Sequence, residues 1–168
     1  LEQNHPEAIL QIKQVDVNNS CFIKEYELAQ ETPHHVAAML MIQNALRQPF
    51  FLEMRTNQQL GYIVFAGGRE NRDHLVFSFL IQSGDYPAHG LMQRANKEIA
   101  RLAMTFETME PDMFNRLRNA AIDMLEEKDK TIAEKANRLN TLAFEEDADF
   151  ERQDKIIGAL KAIQQAED

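Results

Sequence analysis

The sequence predicts an α+β fold: an antiparallel sheet with helices packed mainly on one face. Extended, β-branched and aromatic segments fall before residue 83. From Pro87 onward the apolar period is helical, and one helix-start signal interrupts the strands at Thr32-Pro33. Strands followed by a run of helices indicate segregated layers and exclude the regular alternation of a parallel βαβ fold.

Residues 8–17 and 20–28 are both extended candidates, and Asn18-Asn19 between them suits a tight turn because Asn tolerates positive φ. A hairpin is expected there. Thr32 can serve as N-cap with Pro33 at the first helical position, and Val36, Met39, Leu40, Ile42 and Leu46 share a face, which predicts a helix over residues 33–48. Pro49 is expected to break it, leaving a short second helix over residues 50–59 that delivers the chain to Gly61. Residues 62–66 and 75–82 read as a second hairpin joined by a loop over residues 67–73. In the second strand Leu75, Phe77, Phe79 and Ile81 face Val76 and Leu80 across the pleat, so cover on both faces, by helices or by another domain, is expected.

Ala88, Leu91, Ala95, Ile99, Leu102 and Phe106 form one helical stripe, and Phe114, Leu117, Ala121 and Leu125 form the next. Thr131 to Glu134 is a capping-box pattern opening a third helix with Ile132, Leu139 and Leu142. Asp149 can cap a fourth, carrying Ile156, Leu160 and Ile163.

With 168 residues, 44% hydrophobic and 27% charged, the chain can bury one core and has none of the composition of a disordered segment. A formal charge of -9 and basic residues scattered without a run exclude nucleic acid as a natural partner. No apolar stretch approaches the length of a membrane span. The lone Cys21 allows no internal disulfide and is expected as a buried strand residue; it leaves the compartment open. The chain opens Leu1-Glu2 without an initiator methionine, which predicts an excised fragment, residues 1–168 forming a single domain.

The five histidines, His5, His34, His35, His74 and His89, show no zinc-ligand spacing, and neither H-E-x-x-H nor H-x-x-E-H occurs. No metal site is expected in this chain. Adjacent His34 and His35 point to different faces of a helix start and are expected in solvent. Gly67-Gly68 lacks the spacing of a phosphate-binding loop. Glu145, Glu146, Asp147 and Asp149 are expected as a solvated helix junction, and Met39 and Met124 as core fillers.

The most specific segment is residues 50–65, FFLEMRTNQQLGYIVF. Arg55, Thr56, Gln59, Leu60, Gly61, Tyr62 and Val64 closely resemble the LRT-x-x-QLGY-x-V stretch in the carboxy-terminal half of the pitrilysin/insulinase family of inverted-zincin metallopeptidases; Met54 stands where the family has leucine. The order of elements is similar over residues 15–145. The resemblance implies a clamshell of four homologous α+β domains whose first member holds zinc, with this chain similar to the fourth. It therefore implies a non-catalytic, substrate-enclosing domain, inactive alone. Zinc is the cofactor of the full-length enzyme and is bound outside this chain. Its implied partners are the other domains of the same peptidase and peptide substrates, with self-association of the isolated domain expected. Periplasmic and cytoplasmic members both exist in the family.

The same resemblance implies that Arg55 and Tyr62 are catalytic and substrate-binding residues that reach across to the zinc site. Attack on a peptide carbonyl builds negative charge on oxygen, which a phenol or guanidinium donor stabilises. Gly61 is expected to turn the chain so that both side chains emerge at one edge. Without the resemblance, Arg55 reads as a bridge to Glu53 or a helix end, and Tyr62 as an ordinary strand aromatic. The alternative function is a scaffold or assembly subunit descended from the peptidase fold, which would need no transition-state donors.

Overall fold

The computed structural model describes residues 18–144 and 146–164. The strand expected over residues 8–17 and Glu145 lie outside them. The elements follow in the order β1 (Ser20–Gln30), α1 (Pro33–Phe51), a π-helical turn (Leu52–Asn57), β2 (Ile63–Asn71), β3 (His74–Ser83), α2 (Ala88–Glu107), α3 (Pro111–Glu126), α4 (Ile132–Phe144) and α5 (Arg152–Ala162). The sheet has the order β1-β3-β2, antiparallel at both junctions. The α+β class predicted from the sequence is the class observed.

Strand parity decides which side chains form the core. Leu75, Phe77, Phe79 and Ile81 of β3, Val64 and Ala66 of β2 and Phe22 of β1 share the face that α1 covers, and all are buried. Helix α1 packs against β2, β3, α2, α3 and α5, so it is buried on several sides and its apolar residues spread beyond one stripe. The other sheet face carries no helix among the described residues: Ile23, Ile63 and Phe65 are exposed there. Among the described residues, helices therefore cover β3 on one face, and the cover expected on the other is left to another domain. Val76 and Ser78 are nevertheless buried, because β3 is central and Glu25 and Arg69 reach over it from the flanking strands.

Cys21 follows the same parity. It neighbours the inward Phe22, so it points to the uncovered face and is exposed, against the expectation of burial. Gly67 and Gly68 are strand residues opposite Ser78 and Phe77, and the turn is confined to Arg72 and Asp73, with Arg72 at φ 57°. A Cβ on Gly68 would lie 2.4 Å from the Met39 sulfur, so the glycine lets α1 approach the strand; the Gly68 N–H donates to Gln43 Oε1 at 2.9 Å.

The helix also continues through Pro49 instead of breaking. A proline in a helix interior costs about 3 kcal/mol. Phe50 and Met54, just beyond it, are fully buried, and each contributes about 1.5–3 kcal/mol by burial. Phe50 packs edge-on against Phe79 with centroids 4.9 Å apart. Burial wins over propensity, and the helix runs on into the wider π turn that follows.

The caps at Thr32 and Thr131 match their sequence signals, whereas the cap expected of Asp149 does not form: Glu151 is the N-cap of α5 and makes no side-chain cap bond. The His35 N–H donates to Thr32 Oγ1 at 3.2 Å, while His34 and His35 are exposed. Glu134 N–H donates to Thr131 Oγ1 and Thr131 N–H donates to Glu134 Oε2, both at 3.1 Å, which completes the capping box. Asp149 sits two residues before the N-cap Glu151, accepts its N–H at 3.2 Å, and pairs with Lys155. The stripes of α2 and α3 face the core. In α4 only Leu142 is buried: Ile132 is 90% exposed and Leu139 exposed, so most of that stripe lies bare. Met39 is buried as expected, but Met124 is exposed.

Glu146 departs from the solvated junction expected of its neighbourhood. It turns inward with Glu31 and Glu70 around Arg152 of α5, which bonds Glu31, reaches Glu70 at 2.5 Å, and reaches Glu146 at 3.1 Å. Three carboxylates share one guanidinium, and burial together with the neighbouring Glu70 charge pushes the Glu146 carboxyl above its usual value of 4.5. Glu25 is opposite in sign: hydrogen bonds from Ser78 and Arg69 hold it below 4.5.

These directions set opposite pH responses. The raised Glu146 favours the fold when protonated, below its unfolded value, and loses that contribution as pH rises through its folded value. The lowered Glu25 contributes above 4.5 and loses its contribution as pH falls through its folded value. Thermal unfolding should therefore show Glu146→Gln stabilised at pH 7, with the gain shrinking towards pH 4. Glu25→Gln should be destabilised at pH 7, with the loss shrinking over the same acid range. Parallel responses of the two variants would contradict these charge assignments.

Candidate functional site

The segment between α1 and β2 reverses the chain within a few residues. The π turn closes with Gln58 N–H donating to Glu53 O, followed by Leu60 N–H to Met54 O, both at 2.9 Å. Gln58 remains in the right-handed region at φ -92°, and Gln59 switches to φ 52°. Gln59, not Gly61, is thus the residue with left-handed backbone, a costly state for a side-chain-bearing residue that persists only when its surroundings hold it. Met54 and Leu60, on either side of the reversal, are fully buried.

Gly61 has a different role from the one its sequence context suggests. A Cβ placed there would lie 1.9 Å from the Gln82 carbonyl oxygen and 3.3 Å from Ser83 Cα. Its lack of a side chain allows the reversal to seat against the end of β3, from which β2 then starts.

This geometry brings Arg55 and Tyr62 together. The Arg55 guanidinium carbon lies 5.1 Å from the centroid of the Tyr62 ring, a cation–π stack. Tyr62 is 83% exposed and Arg55 half-buried. Glu53 is not the partner of Arg55: its carboxylate accepts from Asn57 Nδ2 at 2.7 Å and Gln58 Nε2 at 2.9 Å, and those bonds hold its pKa below the usual value. The two site residues expected to share one edge do so.

Gln58 and Arg94 carry no motif that could have singled them out, yet they adjoin this pair. Arg94 Nη1 of α2 donates to Gln58 Oε1 at 3.1 Å and its guanidinium stacks over Tyr86, 5.2 Å from the ring centroid. Tyr86 is itself placed by Ser83, whose Oγ accepts from the Asp85 and Tyr86 N–H groups.

Among the described residues, one group of three potential metal ligands comes together, Glu31, Glu70 and Glu146. With Arg152 paired to all three and no imidazole or thiolate, this donor set does not fit zinc. Among the same residues no helix is long and apolar enough to cross a membrane.

Residues 41–140 match the family described as PQQ synthase PqqF-like, C-terminal lobe domain 4. The chain is 31% identical over 117 residues to Protease 3 of Salmonella typhi, covering 69% of this chain and 12% of that protein. It is 29% identical over 151 residues to human insulin-degrading enzyme, covering 88% of this chain and 14% of that protein. Among solved structures, pitrilysin superposes with a TM-score of 0.77 at 22% identity, covering 89% of this chain and 16% of that chain. The periplasmic protease PqqL of Escherichia coli superposes with a TM-score of 0.64 at 13% identity, covering 94% and 18%. The chain belongs to the insulinase/pitrilysin family of metallopeptidases, as its PqqF-like C-terminal lobe domain 4. It spans 12% to 14% of the length of these two curated relatives.

Because the Gln82 carbonyl leaves no room for a methyl group at position 61, Gly61→Ala should destabilise the domain by about 3 kcal/mol or more, as overpacking against backbone does. Denaturant unfolding of the two chains checks this. An unchanged midpoint would mean that the reversal can move off β3 freely.

Proposed function

We propose that this chain is the non-catalytic, substrate-enclosing domain of a zinc-dependent endopeptidase that degrades peptides, lending Arg55 and Tyr62 to an active site centred in another domain. The observation that carries the proposal is the stack of the Arg55 guanidinium over the exposed Tyr62 ring, held at the start of β2 within the family's characteristic segment. A guanidinium carries five N–H donors, so a cation–π contact does not exhaust its capacity to donate, and the exposed phenol can also donate. A peptide carbonyl approaching this edge would meet two donors of different chemistry.

In this role zinc, held outside this chain, supplies the Lewis-acid chemistry of the whole enzyme. Tyr62 donates a hydrogen bond to the carbonyl oxygen as negative charge develops, and Arg55 grips the same peptide segment while biasing the local potential. Neither residue supplies a nucleophile, so the domain alone cuts nothing. The uncovered sheet face with Ile23, Ile63 and Phe65 suits cover by another domain of the same enzyme, and in isolation it favours self-association.

In the full-length enzyme, Tyr62→Phe deletes only a hydroxyl and should lower turnover on a short peptide by roughly 100- to 1,000-fold, with zinc content and folding unchanged. Arg55→Ala should lower both turnover and apparent affinity. Wild-type rates in both variants would overturn the proposal and favour a scaffold.

A further inference from the structure

Resting on the proposed roles of Arg55 and Tyr62, we infer that Gln58 and Arg94 are positioning residues which lock the reversal between those two donors to helix α2. The Gln58 side chain is a two-way link. Its Nε2 donates to Glu53 Oε1 at 2.9 Å, inside the π turn, and its Oε1 accepts from Arg94 Nη1 at 3.1 Å, outside it. A primary amide can satisfy both contacts at once because it offers a donor and an acceptor at the same end. The second oxygen of Glu53 holds Asn57, the last residue of the turn that carries Arg55.

The link sits where the backbone has most need of it. Gln58 immediately precedes Gln59, whose φ of 52° reverses the chain, and three residues separate Gln58 from Tyr62. Beyond Gln58, Arg94 stacks on Tyr86, and Tyr86 is fixed by the Ser83 hydroxyl at the end of β3. Gly61 is seated on that same end, against Gln82 and Ser83. The reversal is therefore held to the β3 terminus by two independent routes: directly through Gly61, and through Gln58, Arg94 and Tyr86. The first fixes where β2 begins. The second fixes the orientation of the π turn, and so the position of Arg55 over the Tyr62 ring.

Exposed polar contacts of this kind contribute little to global stability, since solvent competes for every partner. Their effect on catalysis is different in scale, because a donor displaced by about 1 Å can cost on the order of 100-fold in rate. A positioning role therefore separates from a structural one: turnover falls while the melting temperature holds.

The test uses the full-length enzyme, a short peptide substrate, and Gln58→Met, which keeps length and volume but removes both hydrogen bonds. The expected result is a roughly ten-fold fall in kcat with KM changed less than three-fold and thermal stability unchanged. Arg94→Ala should reproduce this loss and Arg94→Lys should recover part of it, because lysine restores a donor. In a Tyr62→Phe background, Gln58→Met should cost much less than it does alone, since the donor that it positions is already gone.

Wild-type kcat in both Gln58→Met and Arg94→Ala, with Tyr62→Phe impaired, overturns the inference and leaves the proposed function standing. Wild-type activity in Tyr62→Phe and Arg55→Ala overturns both together. If Gln58→Met proves unstable, the decision passes to Arg94, which is exposed on α2: equal loss in Arg94→Ala and Arg94→Lys, or full additivity of Arg94→Ala with Tyr62→Phe, overturns it.

Discussion

The close approach of Gly61 to the Gln82 carbonyl is the constraint on which the geometry of this domain turns. At that point the chain has left a helix, reversed, and must begin a strand paired with β3 in one register only. A single-residue slip would exchange the faces of β2, moving Val64 and Ala66 out of the core and Ile63 and Phe65 into it. With Gly61 seated and Leu60 buried behind it, that slip is closed off. The same seating leaves Arg55 on the final turn before the reversal and Tyr62 on the first residue after it, so their stack follows from the packing of their neighbours.

The π turn is part of the same solution. Pro49 cannot donate a backbone hydrogen bond, and the following residues must keep Phe50 and Met54 in the core while preparing to leave the helix axis. Widening the last turn to the i→i+5 pattern turns the side chains relative to an ideal helix, which lets Met54 point inward while its neighbour Arg55 reaches the edge. A regular helix ending at residue 48 would have released both. The deviation from ideal geometry and the candidate site fall in the same segment.

Where sequence signals are local, they are legible in this chain. Thr32-Pro33, the Thr131 to Glu134 box and the stripes of α2 and α3 act through contacts within a few residues, and all form as their spacing implies. The misread positions are those decided by distant partners. Pro49 is outweighed by Phe79, thirty residues on in the chain; Gly68 accommodates Met39; and Glu146 is drawn to Arg152. Arg55 and Tyr62 could be named because a dense motif contains both. Gln58 and Arg94 could not, since 36 residues separate them and neither residue type is unusual on a surface.

The uncovered sheet face is divided along its strands, and the division bears on the proposed site. Glu25, Arg69 and Ser78 form a hydrogen-bonded bridge across all three strands, one that water can solvate. Towards the other end, Cys21, Ile23, Ile63, Phe65 and Leu80 surround Gln82 in a mostly apolar surface, and Tyr62 immediately precedes Ile63 in the chain. Apolar walls weaken the screening of charges beside them, so under the proposed function a guanidinium and a phenol next to a covered apolar end would act more strongly on a developing negative charge than they would amid polar neighbours. The field there depends on something covering the apolar end and excluding water, since in an open domain the solvent screens both donors. Under the proposed function, closure by another part of the enzyme would complete the electrostatics of the site as well as enclose the peptide, which would give a physical reason for placing the two donors on a domain apart from the zinc.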